Sequence, residues 1–297
     1  MEKRTLGKTG MEVSVLGFGG AEIGFRHIDP ATVGQLLNKA LDAGLNVIDT
    51  AAVYADSESL IGQTVSNRRS DYFLFTKCGQ GGAFNLPDWS PETIAKSIDR
   101  SLQRLKTEVL DLVQLHTCSE EVLRQGDVIT ALQKARDAGK TRFIGYSGDS
   151  RAALYAVESG AFDTLQTSVN IADQECIELT LPKAVEASMG VIAKRPVANV
   201  AWMFDEAASR NTYHFTYWQR LQKLQYPFLE TPEAFATALR FTLSSPGVHT
   251  AIVGTTKPER WQQNAALLKA GNLSEDEWEA IRARWREVAE ADWKGQG

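Results

Sequence analysis

Four polar side chains of the sequence form a set that could move a proton: Asp49, Tyr54, Lys77 and His116. A free tyrosine has a pKa of about 10, so a phenol alone is a reluctant proton donor at neutral pH. A lysine ammonium nearby favours the phenolate, and a carboxylate keeps that ammonium charged and in position. A histidine beside them could aim a substrate oxygen, and we expect it to be neutral because a second cation in one pocket would be costly.

Each of these residues alone has an ordinary structural explanation. Asp49 could cap a helix or pair with a cation, and Lys77 could be a solvated strand end. His116 could be a core histidine with its hydrogen bonds satisfied, and Tyr54 a half-buried ring with a wet hydroxyl. Their positions favour a joint role, because each lies at or just after the end of one of three successive apolar runs.

Such apolar runs alternate with stretches of helical period along the whole chain. The runs are Val13–Phe18, Asn46–Thr50, Tyr72–Lys77, Leu110–His116, Thr141–Ser147, Thr164–Val169, Gly190–Arg195 and Thr250–Gly254. The helix-like stretches include Ala31–Ala43, Ser90–Leu105, Gln125–Ala138, Arg151–Ser159, Leu179–Ser188 and Pro232–Leu243. Repeated strand–helix units predict a parallel sheet covered by helices, and eight of them predict closure into an α/β barrel, the (β/α)8 or TIM fold, with its active site at the carboxyl ends of the strands.

A doubly wound open sheet is the main alternative. Such a sheet usually carries a G-x-G-x-x-G fingerprint after its first strand, and the stretch Gly17–Gly20 lacks that spacing. We therefore expect the barrel. The segment Val197–Glu230, after the seventh predicted strand, is rich in aromatic residues and is predicted to be a long irregular loop.

Composition limits the function further. With 297 residues and 43% hydrophobic content, the chain is expected to form one domain over residues 1–297. The net charge is −5 and no stretch is rich in Lys or Arg, so nucleic acid is not expected as a partner. No apolar run approaches the length of a membrane helix, and the start of the chain lacks a signal peptide's apolar stretch, so we expect a cytoplasmic protein. The three cysteines and four histidines show no metal-ligand spacing, and we expect no catalytic metal.

The residues around the proton-transfer set resemble those of a known family. Arg4-Thr-Leu-Gly-Lys-Thr-Gly10 and Val13-Ser-Val-Leu-Gly-Phe-Gly19 are similar to the opening β-hairpin and first strand of the aldo-keto reductases. Asn46-Val-Ile-Asp-Thr-Ala51, Thr76-Lys77 and Asp111-Leu-Val-Gln-Leu-His116 resemble the family's catalytic segments. The resemblance implies a (β/α)8 barrel with a hairpin at its bottom, so that Val13–Phe18 is split between two elements. It also implies that Asp49, Tyr54, Lys77 and His116 are the catalytic residues of an oxidoreductase.

The resemblance also implies a cofactor, NADP(H), and a small carbonyl substrate. Ser147 and Gln166 match positions that hold the nicotinamide carboxamide, while Gly148 stands where the family often has Asn. Lys194 stands where many members stack an aromatic ring on the nicotinamide, with Arg195 beside it. Further residues match the 2′-phosphate and adenine segments of the family: Gly254, Thr255, Lys257, Arg260, Gln263 and Asn264.

The expected preference for NADP(H) depends on the segment 254–260. Pro258 suits the first position of a helix, whose free backbone N–H groups would face an anion. Lys257 and Arg260 would add two cations there. The alternative is that both are solvated surface charges, with Arg260 paired to Glu259 or Glu275.

Two other function classes fit the same residues. A lysine at a strand end of a barrel also serves Schiff-base aldolases, with Lys77 as the nucleophile. The family resemblance also admits a non-enzymatic subunit that binds the cofactor. The substrate and the oligomeric state have no signature in this sequence.

Overall fold

Ten strands form a short hairpin and a closed barrel in the computed structural model, which describes residues 1–296. The strands are β1 (Lys3–Thr5), β2 (Glu12–Ser14), β3 (Leu16–Gly19), β4 (Val47–Asp49), β5 (Phe73–Cys78), β6 (Leu110–His116), β7 (Thr141–Ser147), β8 (Thr164–Ser168), β9 (Gly190–Lys194) and β10 (Val248–Val253). Strands β3 to β10 are parallel to their neighbours, and β10 pairs with β3 to close the barrel. The predicted (β/α)8 barrel is confirmed.

The N-terminal hairpin precedes the barrel, as the sequence predicts. Strands β1 and β2 pair antiparallel, with Lys3 opposite Ser14. The predicted run Val13–Phe18 is split between β2 and β3. At Val15 the chain changes partner, because its N–H donates to Glu2 of the hairpin while its carbonyl accepts from Ala251 in β10.

The helices surround the barrel. They are α1 (Ala21–Phe25), α2 (Pro30–Asp42), α3 (Ser57–Thr64), α4 (Pro91–Leu105), α5 (Glu120–Gln125), α6 (Asp127–Asp137), α7 (Ser150–Glu158), α8 (Glu175–Leu179), α9 (Leu181–Glu186), α10 (Glu206–Ser209), α11 (Phe215–Leu224), α12 (Ala234–Ser244), α13 (Arg260–Leu267) and α14 (Glu275–Val288). The predicted helix Gln125–Ala138 begins later than expected, because Gly126 has a φ of 81° and separates α5 from α6. Within residues 1–296 no helix is long and apolar enough to cross a membrane.

The segment Val197–Glu230 lies after the seventh barrel strand, but the prediction that it is irregular is wrong. It contains 3-10 turns at Ala198–Met203 and Pro227–Glu230 as well as α10 and α11. In α11 the buried residues are Tyr217, Arg220, Leu221 and Leu224. They follow the three- and four-residue spacing of one helix face, which the aromatic content of the segment obscured.

The inside of the barrel changes from apolar at the bottom to polar at the mouth. A small apolar cluster, formed by the hairpin and the barrel strands together, fills the bottom: Leu6, Met11, Val13, Val47, Phe75, Leu112, Ile192 and Ile252. Because successive side chains of a strand point to opposite faces, the next inward residue lies two positions later. Val47 is thus followed by Asp49, Phe75 by Lys77, and Leu112 by Gln114 and His116. The strand geometry alone therefore gathers polar residues at the carboxyl ends.

Candidate active site

A buried ion pair forms the centre of the polar mouth. Lys77 Nζ lies 2.5 Å from Asp49 Oδ2 and 2.9 Å from the carbonyl oxygen of Thr50. The Lys77 side chain is only 2% exposed. Burial opposes its charged form, but the attraction of Asp49 and Tyr54 outweighs burial, so the pKa of Lys77 is raised. The ammonium is therefore present across the neutral pH range.

Tyr54 lies beside this pair in the loop between β4 and α3. Lys77 Nζ is 5.2 Å from the centroid of the Tyr54 ring. The loop is fixed by close packing against α1, because a Cβ atom on Gly24 would overlap the carbonyl oxygen of Tyr54. Tyr54 is half-buried, so its ring contacts the pair while part of its surface stays open to the mouth.

His116 completes the group from the end of β6. Its ring lies edge-on to Tyr54, with 5.6 Å between the ring centroids and 81° between the planes. Burial, together with the cations Lys77, Lys194 and Arg195, lowers the pKa of His116 well below its usual value. The imidazole is therefore neutral at physiological pH, as the sequence analysis expects. Asp49, Tyr54, Lys77 and His116 are all brought to one mouth.

A chain of amides and hydroxyls extends from the ion pair across the barrel. Ser147 Oγ donates to Gln166 Oε1 at 3.0 Å, and Gln166 Nε2 donates to Asp49 Oδ1 at 3.1 Å. Gln114 Nε2 also donates to Asp49 Oδ1, at 3.4 Å. The sequence analysis missed Gln114. The period-two alternation in β6 could have found it, since Gln114 precedes His116 by two residues and points inward with it.

Lys194 and Arg195 lie at the end of β9 and are held by other residues of the mouth. Lys194 Nζ pairs with Asp149 Oδ2 at 2.7 Å, and Arg195 Nη1 donates to Ser168 Oγ at 2.9 Å. Arg195 also lies over the ring of Tyr213, 4.8 Å from its centroid. Asp149, which follows Ser147 by two residues, was not predicted as a site residue.

The C-terminal segment 294–296 returns to this side of the mouth. Both Lys194 and Arg195 donate to the carbonyl oxygen of Gln296, and the Gln296 N–H donates to Asp173 Oδ2 at 3.1 Å. Arg220 Nη2 donates to the carbonyl oxygen of Lys294 at 2.7 Å. No local pattern in the sequence indicates these contacts, because they join residues far apart along the chain.

The family model described as the Aldo/keto reductase family matches residues 15–286. The chain belongs to the aldo/keto reductase family. Among curated relatives, L-galactose dehydrogenase of Arabidopsis thaliana is 34% identical over 67% of this chain and 66% of its own. The NADH-specific methylglyoxal reductase of Escherichia coli K12 is 27% identical over 98% of this chain and 99% of its own.

Two solved aldo-keto reductases share the fold. The holo form of AKR11C1 from Bacillus halodurans superimposes with a TM-score of 0.84 at 24% identity, covering 99% of each chain. An aldo/keto reductase from Klebsiella pneumoniae in complex with NADP and acetate gives a TM-score of 0.72 at 22% identity, covering 95% of this chain and 94% of that one.

The predicted cofactor-binding residues of this aldo/keto reductase after β10 lie at the rim of the mouth. Gly254 is exposed, and Thr255 is buried with its Oγ1 accepting from the N–H of Lys257 at 3.1 Å. The prediction that Pro258 begins the helix is wrong, since α13 begins at Arg260 with Glu259 at its N-cap. Lys257 and Pro258 thus belong to the turn before α13.

The pairing of charges at this rim differs from the one considered for Arg260. Glu259 pairs with Lys39 of α2 at 2.9 Å rather than with Arg260. Lys257 and Arg260 are exposed, and no ion pair to either occurs among the described residues, 1–296. Both cations therefore face solvent beside the N-terminus of α13.

The first turns of α13 also contain a buried amide. Asn264 is 1% exposed, and its Oδ1 and Nδ2 have no hydrogen-bond partner among the described residues. Gln263, next to it, is exposed. A buried unpaired amide beside two exposed cations fits a ligand with a hydrogen-bonding base and a phosphate. Among residues 1–296, no group of three or more His, Cys, Asp or Glu side chains could hold a metal ion.

Proposed function

We propose that this protein is an NADP(H)-dependent aldo-keto reductase that interconverts an aldehyde or ketone and the corresponding alcohol. The observation that carries the proposal is the Lys77 ammonium, fixed by Asp49 at 2.5 Å and lying 5.2 Å from the ring of Tyr54. A buried cation beside a half-exposed phenol is what proton transfer to a carbonyl oxygen requires.

Residues at two places would hold the cofactor, which when bound supplies a hydride to the carbonyl carbon. Ser147 and Gln166 carry the hydroxyl and amide groups for the nicotinamide carboxamide, and they are already linked to each other. Lys194 and Arg195 lie beside them at the end of β9. At the rim, Gly254, Thr255, Lys257, Arg260, Gln263 and Asn264 would hold the adenosine end and its 2′-phosphate.

Tyr54 is the proton donor in this proposal. As a carbonyl is reduced, negative charge develops on its oxygen and must be stabilised and protonated there. Tyr54 gives its phenolic proton, and the Lys77 ammonium stabilises the charge left on the phenolate. Asp49 keeps Lys77 charged and in place. His116, neutral because of its lowered pKa, aims the carbonyl oxygen through a ring N–H.

The same ion pair argues against the aldolase alternative. A Schiff-base lysine needs a free amine, and its pKa is lowered to supply one. The pKa of Lys77 is instead raised, and its Nζ is occupied by Asp49 and the Thr50 carbonyl. Borohydride treatment with a carbonyl substrate should therefore leave no adduct on Lys77.

The preference for NADP(H) is supported by the exposed cations Lys257 and Arg260 and by the pairing of Glu259 with Lys39, which draws its carboxylate toward α2. The Escherichia coli relative is NADH-specific, so membership of the family does not decide the preference. The cations of this chain are the reason to propose NADP(H).

A panel of aldehydes and ketones with NADPH and NADH, followed at the reduced-nicotinamide absorbance band, tests the proposal. We expect turnover of at least one carbonyl, with a higher kcat/KM for NADPH than for NADH. Cofactor binding without turnover of any carbonyl or alcohol would instead favour the non-enzymatic subunit. A preference for NADH would overturn the assignment of the rim cations.

A further inference from the structure

The Asp49 carboxylate is held on both of its oxygens. Oδ2 accepts from Lys77, while Oδ1 accepts from two buried amides, Gln166 at 3.1 Å and Gln114 at 3.4 Å. Gln114 is 0% exposed and Gln166 is 1% exposed. The carboxylate therefore has three donors, and two of them are neutral side chains.

Gln114 differs from Gln166 in its other contacts. Gln166 also accepts from Ser147, and both belong to the proposed cofactor site. The bond to Asp49 is the only side-chain hydrogen bond of Gln114 among residues 1–296, and Gln114 Oε1 is buried without a partner. A buried amide with an unpaired oxygen is less favourable than an apolar side chain of similar shape. Stability alone does not account for a glutamine at this position.

The strand register fixes the position of Gln114 between β5 and β7. Its Cα pairs with that of Lys77 in β5 on one side and with that of Gly145 in β7 on the other. A Cβ atom on Gly145 would lie 3.1 Å from Gln114 Cγ and would overlap Thr164 Oγ1. The absence of a side chain at Gly145 therefore leaves room for the Gln114 side chain inside the barrel.

We propose that Gln114 is a positioning residue for the proton-donor group, holding the Asp49 carboxylate in the orientation that keeps Lys77 charged beside Tyr54. This inference rests on the proposed function of the same site. Gln114 touches neither the expected cofactor residues Ser147 and Gln166 nor the ring of Tyr54 by any hydrogen bond in the described structure.

Asp49 needs these donors because burial of a charged carboxylate is unfavourable in free energy. Burial raises the pKa of Asp49, and Lys77, Gln166 and Gln114 oppose that rise by stabilising the charged form. Lys77 from β5 is the titratable group that contacts Asp49, and Tyr54 from the loop after β4 and His116 from β6 lie beyond it in the same mouth. Without Gln114 the pKa of Asp49 rises further, and once Asp49 is protonated it no longer holds the Lys77 ammonium.

Gln114→Met tests this step, because methionine keeps the length and burial of the side chain and removes the donor. Thr164→Val is the matched control. Thr164 is an inward residue of β8, is 0% exposed, and its Oγ1 has no hydrogen-bond partner within residues 1–296. Both variants remove one buried polar group, but only Gln114→Met removes a contact to Asp49. Gln114→Leu provides a second variant if methionine disturbs folding.

The first measurement is the pKa of the Asp49 carboxyl, followed by carbon NMR on the protein without cofactor or substrate. We expect a higher pKa in Gln114→Met and the wild-type value in Thr164→Val, with both variants folded. An unchanged pKa in Gln114→Met, or an equal rise in the control, overturns the proposal. This measurement needs no activity, so it decides the role of Gln114 even if no carbonyl is reduced.

The second measurement is the pH profile of kcat. We expect Gln114→Met to lower kcat about 10-fold, the effect of one hydrogen bond to a charged group, and to move the acid limb to higher pH. The Kd for NADPH should stay at the wild-type value. A loss of NADPH affinity, or a fall in kcat matched by Thr164→Val, contradicts a positioning role. Wild-type protein with no carbonyl turnover contradicts the proposed function instead.

Discussion

Two buried carboxylates lie at opposite ends of the barrel, and each forms ion pairs with cations of different exposure. At the mouth, Asp49 pairs with Lys77, and both side chains are almost fully buried. At the bottom, near the start of β6, Asp111 pairs with Arg69 at 2.6 Å and Arg142 at 2.7 Å and accepts the Leu74 N–H at 2.8 Å. Each carboxylate has at least three donors.

The two carboxylates differ in how exposed their partner cations are. The side chains of Arg69 and Arg142 are 27% and 48% exposed, so solvent already satisfies much of their charge. The Lys77 ammonium is buried and faces Tyr54. In barrels of this type the carboxyl ends of the strands carry activity and the amino ends carry stability. We therefore expect a substitution in the mouth pair to lower turnover and a substitution in the bottom pair to lower the free energy of unfolding.

Lys77→Met should give the largest effect. Loss of the ammonium removes the charge that stabilises the Tyr54 phenolate, and we expect turnover to fall by about 100-fold or more, the scale of acid–base groups. The control is Lys8→Met, at a surface lysine near the bottom of the barrel whose side chain is 41% exposed. Turnover within a few-fold of wild type in Lys77→Met would show that the mouth pair is structural.

Arg260→Ala should act on the cofactor alone. We expect KM for NADPH to rise by the equivalent of roughly 1.5–3 kcal/mol, the scale of a charge-assisted hydrogen bond, with NADH nearly unaffected. Arg240→Ala, at an arginine of α12 that donates to Gly271 and Asn272, is the control for loss of a surface cation. Equal losses for both cofactors would remove Arg260 from the 2′-phosphate site.

Asp111→Ala should act on stability alone. Removal of one partner from a buried pair is strongly destabilising, and the partial exposure of both arginines reduces that cost here to about 2 kcal/mol in the free energy of unfolding. Chemical denaturation measures it, and kcat of the folded protein should be unchanged. A large fall in kcat under conditions where Asp111→Ala is fully folded would show that Asp111 also affects the active site.

A third buried carboxylate, Asp173, pairs with its cation at a longer distance and should respond to pH. Burial, with repulsion from Asp149, raises the pKa of Asp173 to about 7, and Arg220 Nη1 lies 3.9 Å away. The folded protein then holds this proton more tightly than the unfolded chain, so its contribution to stability is full below the unfolded pKa and falls as pH rises toward about 7.

Asp173→Asn should remove that pH dependence. We expect the fall in Tm between about pH 5 and pH 8 to be smaller in the variant than in wild type, because the amide does not titrate. Asp163→Asn is the control, at a partly exposed carboxylate whose Oδ2 accepts from the Ile144 N–H at 3.0 Å and whose Oδ1 lies 4.0 Å from Lys8 Nζ. An identical pH dependence of Tm in Asp173→Asn and wild type would contradict the raised pKa.

The sequence predicted the parts of the molecule that local pattern determines. The apolar runs predicted the strands. The polar residues near the strand ends, Asp49, Lys77 and His116, were also predicted, because the alternation of side chains along a strand directs them into the mouth. Gln114 follows the same alternation but lies two residues before the end of β6, so its position at a strand end does not single it out.

Other features depend on contacts that no local pattern encodes. The N-terminus of α13 was placed at Pro258, but the helix begins at Arg260. The pairing of Glu259 with Lys39 joins residues 220 positions apart. The contacts of Gln296 with Lys194 and Arg195 likewise require the folded barrel. These are tertiary contacts, and only the structure shows them.

The most direct test of the whole account is single-turnover oxidation of NADPH by Tyr54→Phe in the presence of an accepted carbonyl. The account predicts that the variant binds NADPH with near wild-type affinity while the rate of turnover falls by about 100-fold or more. Near wild-type turnover on every accepted substrate would contradict Tyr54 as the proton donor, even though the barrel and its family would stand.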